Sequence, residues 1–507
     1  MSVHRIMGTE TEFGVYQPGN PWANAVALST QAVAAGGQLS REGDPVGWDY
    51  TGEDPLNDLR GMRLSRAAAD PSLLTDDPYH LAPSGGVEAL ERPSDSERAL
   101  PTPTVAVLTN GARLYVDHAH PEYSAPETSS PREAVLWDRA GDEIARRIMA
   151  HIDASSEVPL VLVKNNTDGK GAAYGTHENY QVERSVDLDD LIRGLIPFMV
   201  TRPVTCGSGR VGLGQKSQAP GFQLSQRADF VENEVGLETT FNRPIINTRD
   251  EPHANPARFR RLHVIGGDAS LFDISAYLRM GTTSIVLWAI EQGTSMHWDG
   301  LSIDDPVQET WNVSHDPTLS HKVPIAAGRA LNAVDIQQIY LDLVLETLDE
   351  TGQNPDEDTR DLLDTWQRVL DGLRTDMFSV VSDVEWVAKY QLFDRQRERL
   401  NTDWADPRLA AMDLQWADLR EERSLVNRLD RAGRVRRLFT PDDVIRAADT
   451  PPQSTRARVR GHAVASMPNV VRASWTSVVV DDPEHNRLVR ISLPDASDTT
   501  TDISDLV

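Results

Sequence analysis

The 507-residue chain has a single cysteine, Cys206, so it can form no disulfide within itself and no zinc site built from thiolates. It has no apolar run long enough to cross a bilayer, and its start, MSVHRIMGTE, has no apolar core of the kind that marks an export signal. These absences point to the cytoplasm. Basic residues are in deficit: 50 Lys and Arg face 77 Asp and Glu, a formal net charge of −27. So negative a surface disfavours non-specific binding to nucleic acid or anionic membrane, and neither is expected as a partner. An anionic ligand is still admissible wherever arginines cluster. What remains is a globular composition, 39% hydrophobic and 25% charged. The length exceeds one ordinary core and predicts a large domain plus a smaller one.

Regular structure is unevenly spread. NPWANAVALSTQAVAA reads as a helix, but residues 37–104 turn rich in Gly, Pro, Asp and Ser, which predicts a mobile insertion ordered only around Trp48, Tyr50 and Leu64. Asn110-Gly111 is the strongest hairpin-turn signal in the chain. In SSPREAVLWDRAGDEIARRIMAHI, Ser130 as N-cap, Pro131 at the first helical position and Glu133 three residues on predict a capping box. RFRRLHVIGGDAS is a strand candidate. Beyond about residue 330 the period becomes helical, with Ile336, Ile339, Tyr340 and Leu343, then Leu362, Trp366, Val369 and Leu373. After Pro451-Pro452, SWTSVVVDD and HNRLVRISLP look like paired strands of a small α+β unit.

GTETEFG, residues 8–14, places Glu10 and Glu12 two positions apart on a predicted strand, so both carboxylates share one face. An isolated pair of this kind more often sits on a solvent-facing edge. The alternative is a cation site, where a hard divalent metal relieves both the repulsion and the cost of burial. Tyr115 and Asp117 repeat the spacing. Glu122 follows in HPEYSAPE, then His177 in YGTHENY, and Arg261 with His263 in RRLHVI. His118-x-His120 alone makes no zinc site. Each segment is weak by itself, but together they offer mostly oxygen with one or two imidazoles, which suits Mg²⁺ or Mn²⁺ acting with nucleotide phosphates. Arginines supply the counterpart: Arg113, the group Arg258, Arg260 and Arg261, and Arg456, Arg458 and Arg460, read as one face of a short extended stretch. GSGRVGLG, residues 207–214, lacks the lysine and Ser/Thr of a P-loop and reads as a flexible turn.

GTETEFG, NGARLYVDHAHPEYSAPE, KNNTDGKGAAYGTHENY, GFQLSQRADF, PIINTRDEPHA, RRLHVIGGDAS, TPPQSTRARVRG and SWTSVVV closely resemble the Pup ligase/deamidase family of actinobacteria, over nearly the whole chain. The resemblance implies an α+β, glutamine-synthetase-like fold of the carboxylate-amine ligase type. An antiparallel sheet cradle flanked by helices would span residues 1–435, including the insertion at about 37–104, with a small C-terminal domain over 436–507. DHAHPEYSAPE and WDYTGEDPLNDLRG resemble the deamidase branch; the distal half of the insertion, TDDPYHLAPSGGVEALERPSDSERALP, matches nothing familiar.

That branch converts the C-terminal glutamine of Pup, a small disordered ubiquitin-like modifier, to glutamate, and cleaves Pup from modified proteins ahead of the proteasome. The resemblance therefore implies Pup and pupylated proteins as partners, ATP with Mg²⁺ as cofactor rather than fuel, and a monomer. By position, Asp117 matches the catalytic aspartate, as nucleophile or general base. Glu10, Glu12, Tyr115, Glu122, His177 and His263 match the metal site. Arg113, Ser124, Asn179 and Arg261 match nucleotide contacts, and Trp475 the tryptophan beside the nucleotide. Pup is acidic, so its groove is expected to be locally basic, with Arg202 and Arg210 as candidates. The rivals are a Pup–protein ligase of the same fold, a small-molecule γ-glutamyl ligase, and a non-catalytic Pup-binding adaptor.

Overall fold

The computed structural model describes residues 3–503 apart from 71–72, 75, 77–85, 95–103, 157, 169–171, 213–218 and 294–297. Most of the distal half of the insertion, the glycine-rich 169–171 and the end of GSGRVGLG lie outside the described residues.

An eight-stranded sheet organises the larger part. Its strands are β1 (Met7–Glu12), β2 (Val105–Val107), β3 (Arg113–Asp117), β4 (His120–Ser124), β5 (Thr176–Glu183), β6 (Asn233–Gly236), β7 (Pro244–Asn247) and β8 (Phe259–Gly267). They lie in the order β6-β7-β8-β5-β1-β4-β3-β2. All neighbours are antiparallel except β6 and β7, whose pairing is parallel at one edge. The β2–β3 hairpin turns at Asn110-Gly111, where Gly111 has a φ of +82°, as the sequence predicts. The next turn was not legible: His118 and Ala119, with φ of +45° and +87°, reverse the chain between β3 and β4. Such turns need two residues in left-handed backbone, and the usual signal is Asn or Gly.

One face of the sheet is packed by helices. α1 (Pro131–Ser155) starts at Ser130, whose side chain accepts from Glu133 N. The Glu133 carboxylate does not return to Ser130 but accepts from Ser129 N at 3.0 Å and from the Ser454 hydroxyl at 2.7 Å, so the cap also ties α1 to a distant segment. α2 (Asp273–Glu291) is buried on all sides from Asp273 to Ile290, enclosed by other elements. Beneath β1, Thr11 donates to Asp138, which with Asp142 holds the fully buried Lys164 at 2.8 and 2.9 Å. No described helix is long and apolar enough to cross a membrane.

A second, smaller core contains Val459, Ala463, Val470, Val478, Val480, Val489 and Ile491, together with Val46, Trp48, Val105 and Val107. Ala447 and Ala448 still belong to the larger core. The small sheet has five strands: Gly47–Trp48, Val470–Ala473, Ser477–Asp482, Arg487–Ser492 and Val87–Glu91, in that order. Its first and last strands come from the insertion. Between them Asp49 is buried against Arg490 at 2.8 Å, with Thr51 at 2.8 Å and Glu88 at 2.9 Å on the same guanidinium. The stretch around Arg456 is not extended: Ala457–Ser466 is a helix, and Arg456 and Arg460, four apart, meet the same carboxylate, Glu127.

Candidate active site

Register brings the site together. Directly opposed residues in a sheet share a face, and Arg113, Ser124, Glu10 and His177 are opposed in turn across β3, β4, β1 and β5. The next row is Tyr115, Glu122 and Glu12, and Asp117 follows at the end of β3 opposite His120. On the other side Asn179 opposes His263. The twelve residues singled out in the sequence thus gather on the sheet face away from α1 and α2, except Trp475, which arrives from the small sheet.

Glu10 is the hub. His177 Nδ1 lies 3.1 Å from its carboxylate, Asn179 Nδ2 donates at 3.0 Å, and Arg261 Nη1 and His263 Nε2 stand at 3.7 Å. Burial opposes its charged form, but the contacts with His177 and His263 outweigh it and hold the carboxyl well below its ordinary value. Burial, reinforced by Arg261, pulls His263 down to about 3. Its ring is therefore neutral, and neither nitrogen has a hydrogen-bond partner although the residue is 2% exposed. Glu122 is equally buried, and burial plus repulsion from Asp117, Glu10 and Glu12 raises its carboxyl well above the ordinary range. Burial, then Glu122, also raises the Tyr115 phenol. Unpartnered imidazole nitrogens and crowded carboxylates are the donor set a divalent cation neutralises, so the residues fit such an ion. Glu10, His177 and His263 place ligand atoms within 4.8 Å of one another, as do Glu12, Asp117 and His118.

Glu12 is turned differently: its carboxylate accepts from Gly175 N and lies 3.7 Å from His120 Nδ1. Asp117, 31% exposed, has one oxygen 2.8 Å from His118 Nδ1, and that contact raises the imidazole above its ordinary pKa.

Two cavities adjoin at Glu10, Ser124, Arg261 and Trp475. One, walled by Ile6–Thr9, Asn179, Tyr180, Pro252, Arg456 and Trp475, is mostly apolar; the other holds Arg113, Tyr115, Asp117, Glu122, His177 and His263. A wider groove leads on from Glu12, Asp117 and His118 past Tyr174 to Arg227, Phe241 and Arg243. The insertion closes over Arg113: its guanidinium lies 4.3 Å from the Trp48 ring and 5.6 Å from Tyr50, with Tyr115 at 4.1 Å and Glu53 at 3.5 Å. Burial raises Glu53 to about 7, only partly offset by Arg113. Trp48 also meets Trp475 edge to face at 5.1 Å.

The sequence did not single out Glu53, Glu251, Arg249 or His253, which reach the cavity from loops with no strand pattern to mark them. Arg202 and Arg210 are not groove residues. Arg202 is buried in a two-pronged pair with Glu178, 2.8 Å at each oxygen, and Arg210 pairs with Asp229.

The chain is similar to known proteins in sequence and in fold. The profile of the family described as Pup-ligase protein matches residues 5–479. A protein of Acidothermus cellulolyticus named depupylase is 45% identical, covering 100% of this chain and 97% of its own length. One of Mycobacterium tuberculosis named Pup deamidase/depupylase is 44% identical, covering 94% of this chain and 91% of its own. A Pup–protein ligase of Mycobacterium avium is 38% identical over 74% of this chain and 84% of its own. Among solved structures, the complex of the prokaryotic ubiquitin-like protein Pup with its ligase PafA superposes with a TM-score of 0.77 at 28% identity, covering 99% of this chain and 92% of that one. PafA in complex with ADP gives 0.72 at 31% identity, covering 87% and 98%. The fold is the glutamine-synthetase-like one of the carboxylate-amine ligases, as expected from the sequence.

Proposed function

The chain belongs to the Pup-ligase protein family, and on that premise we propose that it is the amidohydrolase of the Pup system, a deamidase of Pup's C-terminal glutamine and a depupylase. The observation that carries the hydrolase reading over the ligase is sequence identity together with the length of the sequence alignment. Relatives named for depupylation align over 94–100% of the chain, whereas the ligase aligns over 74% at lower identity.

Both reactions break an amide on the γ-carboxyl of one terminal residue, so one site serves both. In this reading Asp117 meets the γ-carbonyl, as nucleophile or as the base that takes a proton from water, with its carboxylate fixed by His118. Arg113 and Arg261, on either side of Glu10, offer guanidinium forks for phosphate oxygens. The mostly apolar cavity beside Ser124, Asn179 and Trp475 would take the base. Glu10, Glu122, His177 and His263, with Glu12 and Tyr115 beside them, would hold Mg²⁺. When bound with ATP, the Mg²⁺ would supply positive charge for a developing oxyanion and order the phosphate side of the site. A cytoplasmic monomer acting on Pup and pupylated proteins completes the proposal.

The decisive experiment is mass spectrometry of Pup ending in glutamine, incubated with the protein, Mg²⁺ and either ATP or a non-hydrolysable analogue. Conversion to glutamate with both nucleotides is expected. ATP-consuming conjugation of Pup ending in glutamate, without that conversion, would make it the ligase instead.

A further inference from the structure

Residues 13–40 contain no Asp, Glu, Lys, Arg or His, in a chain of which 25% is charged and whose net charge is −27. Most of that stretch is the helix Ala25–Ser40. Its inner side, Leu28, Ala32, Val33, Ala35 and Gly36, is buried, and Gly36 lies so close to Leu114 of β3 that a Cβ there would strike the leucine side chain. Val26, Thr30 and Ala34, four apart and all exposed, form its outer side, and Trp22 precedes them in the same step. Trp22 is 92% exposed and Val26 52%. The backbone that presents Trp22 is fixed: Trp22 N donates to the Asn20 side chain at 3.2 Å, Asn20 N donates to Gln17 O at 3.1 Å, and Asn24 caps the helix by accepting from Ala27 N at 3.1 Å. A large apolar side chain held out on an ordered, neutral surface gains by burial against a partner and costs little backbone order to bury.

The same helix is tied to the reacting end of the sheet. Ser29 Oγ donates to Ala119 O at 2.7 Å, in the turn that follows Asp117. The chain from Trp22 to Ser29, that hydrogen bond and the two residues back to Asp117 together place Trp22 within about 30 Å of Asp117, the diameter of a small domain. A deamidation substrate ends at the scissile amide. A depupylation substrate continues from it through a lysine side chain into a folded protein, which must rest against the surface flanking Asp117. A strongly negative surface repels the acidic faces of other proteins, whereas a neutral one with an apolar anchor admits them.

We infer that the face made by Trp22, Val26, Thr30 and Ala34 docks the folded protein to which Pup is joined. The inference rests on the hydrolase reading and deepens it, because it assigns this face to the leaving side of the isopeptide and so to depupylation alone.

The test uses three substrates, each with wild-type protein and with Trp22→Ser: Pup ending in glutamine, Pup joined through its terminal glutamate to the side chain of free lysine, and Pup joined to a lysine of a folded protein. Trp22 belongs to neither core, so the variant is expected to fold. It should process the first two substrates at the wild-type rate and the folded conjugate with kcat/KM at least about fivefold lower, mostly through KM, the scale of one interface anchor. Trp22→Phe should recover part of the loss. An unchanged rate on the folded conjugate, or an equal proportional loss on all three substrates, would overturn the docking face. So would a wild-type dimer that Trp22→Ser separates in sedimentation, because the face would then belong to a second copy of the chain. Wild-type protein that leaves all three substrates untouched refutes the hydrolase reading itself.

Discussion

Glu127→Gln is expected to lower stability by about 3 kcal/mol at neutral pH. Glu127 follows β4, and its carboxylate meets Arg456 at 2.8 Å and also Arg460, both from the first turn of the helix that carries the small core. The carboxylate is 11% exposed and the guanidiniums are 3% and 0% exposed, so water compensates little. Burial alone would raise this carboxyl; Arg460 and then Arg456 outweigh it and bring it down to about 2 from its ordinary 4.5. That displacement is worth roughly 3 kcal/mol of folding free energy. Because the folded value is the depressed one, the stability is fully present above about pH 4.5 and fades as pH falls toward 2. The gap between wild type and Glu127→Gln in urea unfolding free energy should therefore be near its maximum at pH 7 and narrower by about 1 kcal/mol at pH 4. Function should follow, since Arg460 also stacks at 5.0 Å on Trp475 and donates to its carbonyl at 3.2 Å. Loosening it should weaken nucleotide binding by moving that wall. A variant within about 0.5 kcal/mol of wild type, or a gap constant from pH 7 to pH 4, refutes the reasoning.

Asp117→Asn should keep its fold and nucleotide affinity and lose both deamidation and depupylation by at least about a hundredfold; full activity by mass spectrometry would remove Asp117 from the chemistry. Glu10→Ala should weaken nucleotide binding in Mg²⁺ while changing it little in EDTA; identical isotherms across a Mg²⁺ titration would argue against the cradle. Arg490→Ala leaves the buried Asp49 without the guanidinium at 2.8 Å and with only hydroxyl and backbone partners such as Ser477, so the insertion should come off the small sheet. Faster proteolytic cleavage between residues 49 and 91, with the larger core still folded, is the expected outcome, and an unchanged cleavage pattern would contradict it.

Much of the site was fixed by local sequence. Glu10 and Glu12, Tyr115 and Asp117, and Arg261 and His263 each lie two apart, and a strand must put each pair on one face. Asn110-Gly111 likewise announces its hairpin. Which strands adjoin is not local. Nothing in RLYVD or GTETE dictates that Tyr115 opposes Glu122 and that Glu122 opposes Glu12; sheet register depends on the whole packed face of α1 and α2. Charge pairing was hidden for the same reason. Arg202 and Arg210 read as groove residues in a list of arginines, and only the packed chain shows Glu178 and Asp229 opposite them. The insertion, irregular in composition, supplies two edge strands to the small sheet and a cover over Arg113, because its backbone groups find partners in Val470–Ala473 and Arg487–Ser492 rather than within itself. Sequence determined which side chains share a strand face; long-range register and burial decided which of them meet.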